Sequence, residues 1–440
     1  MSTSHLSFVF NIAEAFPPPK QVFDIRWPMV DSVNNFPTRK NFQKLMFSKP
    51  ITTNEALSKS FNFTETYENL PKIIDGLFLP CMLQDPYPKE LHKNDATMAT
   101  MAMIDPFSPG CSIAVARNFD AKIVITSPLV ELGTLQYYSG GPLPISYVMS
   151  NILSKSKMNF FHRILNLFSH QVFKLFLYQL SLAKLFNYID ASKIEIYSTP
   201  KPTMVIVNYH KFLELSFPRT NAFIDVGNSL PTFDNQIPTD IFNFINKYDQ
   251  IVLLSFSTFT NDGIVSAELY SNYTKLFKTF PNIGFIWRQK EKQDSLPENV
   301  FLASWINQRA IISHPKVKVL ITHCGLNSVV EAMNVGIPMI CIPEGNDQYY
   351  NAEKLRHASL SIVHAEQPLS NEELSKSLQE ILKENSNIRK NTLKMKEMLQ
   401  FERDQNISTN ISWILKKFQK IKTSHFENFY IPKGAHLSWK

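Results

Sequence analysis

Between residues 250 and 345 the chain repeats one alternation, a short apolar run followed by a stretch with apolar residues at helical spacing. The runs are "QIVLLSFSTF" (250–259), "IGFIWRQ", "VKVLITH" and "IPMICIP". "AELYSNYTKLFKTF" lies between the first two, the segment "VFLASWINQRAIISH" precedes the third, a helix is predicted from about Asn327, and "NAEKLRHA" continues the series. Strands that are apolar throughout, rather than at every second residue, bury both faces, and a β-α-β-α order delivers them in parallel. The second half therefore reads as an α/β layer structure with a parallel sheet covered by helices.

The first half carries weaker strand signals, in "AKIVITSPLV" (121–130) and "EIYSTPKPTMVIVNYH" (195–210). "FFHRILNLFSHQVFKLFLYQLSLAKLF" (160–186) is a long helical region with a large apolar share. A helix pair packed on the first sheet is the expectation, and a membrane-skimming surface is the alternative. Two prolines, Asn and Asp in "SLPTFDNQIPTD" (229–240) mark the break between halves. With 440 residues, two domains of roughly 200 each are expected. We place them at 1–235 and 240–422, followed by a tail at 423–440, and the helices between about 371 and 422 are charged and amphipathic.

Composition excludes several function classes. A 44% hydrophobic and 19% charged chain is globular rather than disordered. The net charge of +7 is dispersed over "KEKQ", "RKNTLKMK" and "KKFQKIK" with no basic stripe among the aromatic residues, so nucleic acid is not expected as a partner. Cys81, Cys111, Cys324 and Cys341 form neither a C-x-x-C pair nor a dense framework, which predicts buried thiols and no zinc. Four glycosylation tripeptides, at Asn62, Asn272, Asn406 and Asn410, decide nothing alone.

The stretch "VLITHCGLNSVVEAMNVGIPMICIP" (319–343) breaks between strand and helix at His323, Cys324 and Gly325, with Asn327 and Ser328 at the helix start. In open parallel sheets that place faces the ligand, and a helix start offers free N–H groups and a positive dipole end to an anion. An ordinary capped turn would look the same in isolation. The flanks add Trp305 and Gln308 upstream, an aromatic platform and an amide, with Glu331 one turn into the helix and Asp347 and Gln348 in "PEGNDQYYNA".

Read together, "SWINQRAIISHPKVKVLITHCGLNSVVEAMNVGIPMICIPEGNDQYYNAEKL" resembles the signature of the UDP-glycosyltransferases: Trp-x-x-Gln, His-Pro, Thr-His-Gly-Gly-x-Asn-Ser, Glu-Ala, Gly-Ile/Val-Pro and Asp-Gln-x-x-Asn-Ala. The resemblance implies a GT-B fold, two facing Rossmann-like domains, with the nucleotide sugar on the C-terminal one. It implies that Trp305 stacks on uracil and Gln308 contacts the nucleoside, and that Glu331 binds the ribose hydroxyls. His323, Gly325, Asn327 and Ser328 would hold the diphosphate, with Ser257 beside them, and Asp347 and Gln348 the sugar hydroxyls. Two residues depart from the family pattern, Cys324 for the first glycine of the turn and Ser257 for the glycine expected after "LLSF". A Cβ where backbone approaches a phosphate weakens donor binding or demands a small shift.

The resemblance also implies an inverting transfer to a hydroxyl of a small lipophilic acceptor. "STSHLSFVFNIAEAF" resembles the family's Ser-His segment, which makes His5 the candidate base, and "AMIDPFSPGCSIA" makes Asp105 the aspartate that orients it. The resemblance implies a UDP-sugar as co-substrate, glucosyl or glucuronosyl, with no metal and no further cofactor. The alternative reading is a non-catalytic nucleotide-sugar-binding remnant or partner-binding pseudoenzyme. Family members work at the endoplasmic reticulum membrane and lumen. This sequence shows no leader before His5, not even the strand expected there, and no membrane anchor after "IPKGAHLSWK". The chain as it stands reads as soluble, with room for membrane association and for a homo-oligomer.

Overall fold

The computed structural model describes residues 22–26, 42–46, 101–104, 106, 113, 116, 121–130, 132–143, 145, 158–177, 204–227, 236–256, 267–289, 296–345, 347–365 and 369–404. Among them lie three sheets, and every strand pairing in them is parallel. β1 (Val22–Arg26) and β2 (Phe42–Met46) form a pair of their own. β3 (Met101–Ile104), β4 (Lys122–Ser127), β5 (Met204–Val207) and β6 (Phe223–Asp225) lie side by side in chain order.

The third sheet has six strands: β7 (Ile251–Ser255), β8 (Gly284–Arg288), β9 (Val300–Ala303), β10 (Val317–Thr322), β11 (Met339–Cys341) and β12 (Ser361–Val363). Their spatial order is β9-β8-β7-β10-β11-β12. The chain thus builds outward from β7 in one direction, returns, and builds outward from β10 in the other. That reversal is the dinucleotide-fold order, and the crevice it leaves opens at the carboxyl ends of β7 and β10.

The apolar runs form this sheet because both faces are covered. Along β7, Ile251 and Leu253 face one core, with Val329, Ala332 and Met333 of α6 (Leu326–Val335) and Leu399 of α9 (Asn387–Asp404). Val252 and Leu254 face the other, with Tyr273, Leu276 and Phe277 of α4 (Ala267–Thr279) and Leu374, Leu378 and Ile381 of α8 (Asn371–Leu382). The two-residue side-chain period of a strand distributes an unbroken apolar run between two helix layers.

Local signals set the helix ends. Ser370 caps α8 by accepting from the Glu373 N–H at 3.2 Å while Glu373 reaches back to the Ser370 N–H at 3.0 Å, a capping box that satisfies two orphan donors. α6 stops at Gly336, whose φ of 77° is the left-handed conformation a Cβ disfavours, and Pro338 then excludes further helix.

The N-terminal sheet is covered by α1 (Leu132–Ser139), whose Leu135 and Tyr138 join Ile125, Val205 and Val207 in a third core. α2 (Phe160–Leu177) fills the first part of the helical region expected at 160–186, and the rest lies outside the described residues. Its packing differs from expectation. Polar Asn166, Ser169 and His170 are buried while Phe160, Phe161, Leu165 and Phe168 are exposed, Phe161 to 73%. A helical apolar share sets the helix but not which side finds a partner. Asn166 explains part of the inversion, since its amide donates to the Ile145 carbonyl at 2.8 Å.

The two halves meet through residues each lends to the other. Leu213, just after β5, packs in the core of α6, and Leu326, which opens α6, packs in the core of β4 and β5. Beside Leu213, the buried Glu214 carboxylate pairs with the buried Lys354 ammonium of α7 (Asp347–His357) and accepts from the Tyr350 hydroxyl at 3.2 Å. α3 (Thr239–Asn246) lies on the same side, placing Ile241, Phe244 and Ile245 in the core of α6. Among the described residues no helix is long and apolar enough to cross a membrane.

Candidate functional site

The carboxyl ends of β7 and β10 bring together side chains that the sequence scatters from Arg288 to Asn351. β10 ends at Thr322, and the three residues that follow turn the chain into α6. Gly325 is the N-cap of that helix, with an extended φ of −60° and ψ of 145° and no side-chain hydrogen bond on the first turn. A Cβ at Gly325 would lie 2.7 Å from Nε2 of His323, so the imidazole would have to shift to make room for one. Cys324 between them has φ 61°, a backbone conformation usually left to glycine.

His323 is held by its surroundings. Its Nδ1 lies 3.3 Å from the Thr322 hydroxyl, and a ring hydrogen bond reaches the Ser255 backbone at the end of β7. Burial, then the nearby Arg288 guanidinium, push its pKa down to about 4, with the Ser255 bond opposing them. At neutral pH the imidazole is uncharged, and it meets a ligand as a hydrogen-bonding group rather than as a cation.

Arg288 was not among the residues singled out from sequence. It ends β8, donates to the Phe256 carbonyl at 3.1 Å, and holds its guanidinium 5.7 Å from the centre of the Trp305 ring. A basic residue closing a strand next to the one that starts the sheet was the signal available. Trp305 itself is 75% exposed, so one aromatic face is open above the crevice.

Below it lies a polar cluster. α5 (Gln308–Ile312) is opened by Asn307, whose carboxamide oxygen accepts from the Ala310 N–H at 3.3 Å. That cap aims Gln308 at α6, where its amide donates to the Glu331 carboxylate at 2.8 Å and to the Ser328 hydroxyl at 3.1 Å. Burial raises the Glu331 carboxyl above its ordinary range, against the Gln308 bond and the Arg309 charge that pull it down. A carboxylate accepts at up to about four lone-pair sites, so Glu331 keeps capacity for a vicinal diol.

The loop after β11 adds the third side. Gln348 is buried, and its side-chain oxygen accepts from the Glu344 and Gly345 N–H groups at 2.8 and 3.1 Å, which shapes that loop. Asp347 opens α7 and accepts from the Asn351 amide at 2.8 Å, and the same amide donates to the Cys324 carbonyl at 3.2 Å. Asn351 thus ties the loop after β11 to the turn after β10. Asn327 is exposed at the start of α6.

Cys324 and Cys341 differ from the expectation of buried thiols, whereas Cys81 and Cys111 lie outside the described residues. Cys324 and Cys341 form a disulfide with Cα atoms 5.4 Å apart. Neighbouring strands explain it: Thr322 pairs with Cys341 in register, so the residue two places beyond Thr322 comes back over the end of β11. Spacing of 17 residues in the sequence carries no sign of this, because it depends on β10 and β11 being adjacent.

Of the remaining expected residues, His5, Asp105 and Ser257 lie outside the described residues. Among those described, no group of three or more His, Cys, Asp or Glu side chains has the arrangement of a metal site. The structure therefore gathers Trp305, Gln308, His323, Gly325, Ser328, Glu331, Asp347 and Gln348 along one edge, and adds Arg288 and Asn351.

Known proteins of one family resemble this chain. The family model described as "UDP-glucoronosyl and UDP-glucosyl transferase" matches residues 31–414. The ecdysteroid UDP-glucosyltransferase of Autographa californica nuclear polyhedrosis virus is 28% identical over 190 residues, covering 41% of this chain and 38% of that protein. UDP-glucuronosyltransferase 3A2 of Homo sapiens is 24% identical over 369 residues, covering 78% of this chain and 69% of that protein. The chain thus spans between 38% and 69% of the length of these two relatives. A solved UDP-glucose: anthocyanidin 3-O-glucosyltransferase in complex with UDP is 18% identical and superposes with a TM-score of 0.53, covering 93% of this chain and 96% of that one, a likeness of fold that is GT-B. With the family model spanning most of its length and this fold beneath it, the chain belongs to the UDP-glucuronosyl and UDP-glucosyl transferase family.

Proposed function

We propose that this chain is a glycosyltransferase that moves a hexose or hexuronic acid from a UDP-sugar to a hydroxyl of a small lipophilic acceptor, with inversion at the sugar C1. The observation that carries the reading is the Gln308–Ser328–Glu331 cluster at the strand-order reversal, with the exposed Trp305 ring three residues before Gln308 and against Arg288. Each part suits one part of the donor. The exposed ring offers a stacking face to uracil, and Gln308 an amide to the nucleoside. Glu331 accepts from the ribose hydroxyls.

The diphosphate would lie over the start of α6, where Gly325 leaves the first N–H groups without a side-chain cap and the helix dipole favours an anion. His323, Asn327 and Ser328 add hydrogen bonds, and Arg288 adds a charge at the same edge of the sheet. These groups would stabilise the UDP leaving group as it departs, with no metal required. Asp347 and Gln348 would contact the sugar, Asp347 directly and Gln348 also by holding the loop.

In the transfer step the acceptor oxygen forms a bond to C1 as the bond from C1 to the UDP oxygen breaks, and the acceptor proton goes to a base. His5 is the base of this reading and Asp105 the carboxylate that orients it. The compartment it favours is the endoplasmic reticulum membrane and lumen, by family resemblance.

The test is transfer from UDP-glucose and UDP-glucuronic acid to phenolic and steroid acceptors, with His5→Ala and Asp105→Ala compared and UDP binding followed in parallel. Transfer by the parent chain, lost in both variants while UDP still binds, supports the reading. UDP binding without transfer by the parent chain would identify a nucleotide-sugar-binding protein that has lost the chemistry.

A further inference from the structure

We propose that the Cys324–Cys341 disulfide is a positioning element of the donor site, holding the phosphate-facing turn in the shape that glycine would otherwise permit. The proposal rests on the reading of this edge as the place of the UDP diphosphate. Cys324 stands between His323 and the N-cap Gly325 with φ 61°, where a residue with a Cβ is disfavoured and relaxes toward ordinary backbone unless its surroundings hold it. Two fastenings hold it. Its side chain is bonded to Cys341 at the end of the neighbouring strand, and its carbonyl accepts from Asn351 at 3.2 Å.

Both fastenings run to the other ligand-facing loop. Cys341 leads into the segment that ends at Asp347, and Asn351 also donates to Asp347. The turn that would cradle phosphate and the loop that would meet the sugar are therefore fixed relative to each other by one covalent and one hydrogen-bonded bridge. There is little slack in the turn itself, because Nε2 of His323 lies only 2.7 Å from where a Cβ on Gly325 would be. A rotation at Cys324 drives the imidazole and the first N–H groups of α6 off their aim.

Both sulfurs are buried within the core against α6, so the bond is a lasting structural link rather than an exposed, readily exchanged one. Its formation takes two thiols to one S–S bond, with two protons released and two electrons passed to a disulfide-class oxidant such as a protein disulfide of an oxidising compartment, which is itself reduced to a dithiol.

The experiment titrates UDP into the full chain, into Cys341→Ser, and into the double variant Cys324→Gly/Cys341→Ser, with thiols counted by alkylation under denaturing conditions and amide exchange followed across residues 323–328. Cys324 and Cys341 are expected to resist alkylation in the parent chain. Cys341→Ser is expected to bind UDP at least about ten-fold more weakly, because small misplacements of a preorganised site are expensive. Its amide exchange should quicken at 323–328 and little elsewhere. The double variant, with a glycine that takes the turn unaided, is expected to return to within about three-fold of the parent.

Alkylation of both cysteines in the parent chain overturns the proposal. So does UDP affinity unchanged in Cys341→Ser, even with a lowered melting temperature, since the bond would then stabilise the fold without aiming the site. A double variant that folds but binds as weakly as the single one also overturns it. If the parent chain itself binds no UDP, the donor-site reading fails and takes the proposal with it, whereas parent binding with an indifferent Cys341→Ser removes the proposal alone.

Discussion

Two buried carboxylates, Glu331 and Glu214, show how the same group can be kept for a ligand or used up by the fold. Glu331 leans on a neutral amide from Gln308, beside an aromatic ring that is open to solvent. Glu214 faces a buried ammonium, Lys354, and a tyrosine hydroxyl, with no such opening. Burial raises the carboxyl pKa of both. What distinguishes them is the hydrogen-bonded partner: a cation is bonded directly to Glu214, whereas Glu331 is bonded to a neutral amide and feels the Arg309 charge only through space.

The comparison breaks most visibly at the pair. Lys354→Met leaves Glu214 buried without its cation and should cost about 3–5 kcal/mol in chemical denaturation. Replacing both, with Glu214→Leu and Lys354→Met, should recover most of that loss, because no charge is stranded. Burial holds the folded Glu214 pKa above its unfolded 4.5, so the group's contribution is present below that value and lost as pH rises through the folded one. The deficit of Lys354→Met should accordingly shrink when stability is measured near pH 4.

His323 gives the opposite sign. Its folded pKa of about 4 lies below the ordinary 6.5, so its contribution to stability is present above 6.5 and lost as pH falls through about 4. The full effect is about 3 kcal/mol, and His323→Gln should flatten that part of the stability profile without altering the profile near neutrality.

Glu331→Ala sharpens the contrast with Glu214. It should weaken UDP by about 10- to 150-fold, the worth of hydrogen bonds to a charged group, while unfolding shifts far less than for Lys354→Met. Trp305→Ala has the smallest expected effect, about 5- to 150-fold on UDP affinity from lost stacking, with stability unchanged because the ring is exposed.

The sequence revealed most where physics is local. Apolar runs such as "IVLLS" announce strands buried on both sides, and Gly336-Ile337-Pro338 announces the end of α6. The residues that the structure gathers at the crevice were legible for another reason: they sit near strand ends and helix starts, where a short signature reports several positions at once. Features that depend on distant partners were not legible. Glu214 and Lys354 are 140 residues apart, Arg288 matters only because β8 lies beside β7, and the disulfide exists only because β11 lies beside β10. For α2 the helix was legible and its buried side was not, since the carbonyl that draws Asn166 inward belongs to residue 145.

The most direct measurement is a calorimetric titration of UDP into the parent chain and Glu331→Ala, each checked for folding by its denaturation curve. The account predicts one UDP per parent chain and at least about ten-fold weaker binding in a variant that remains folded. Equal affinity in the two proteins, or no binding by the folded parent, would contradict the assignment of the crevice between β7 and β10 as the donor site.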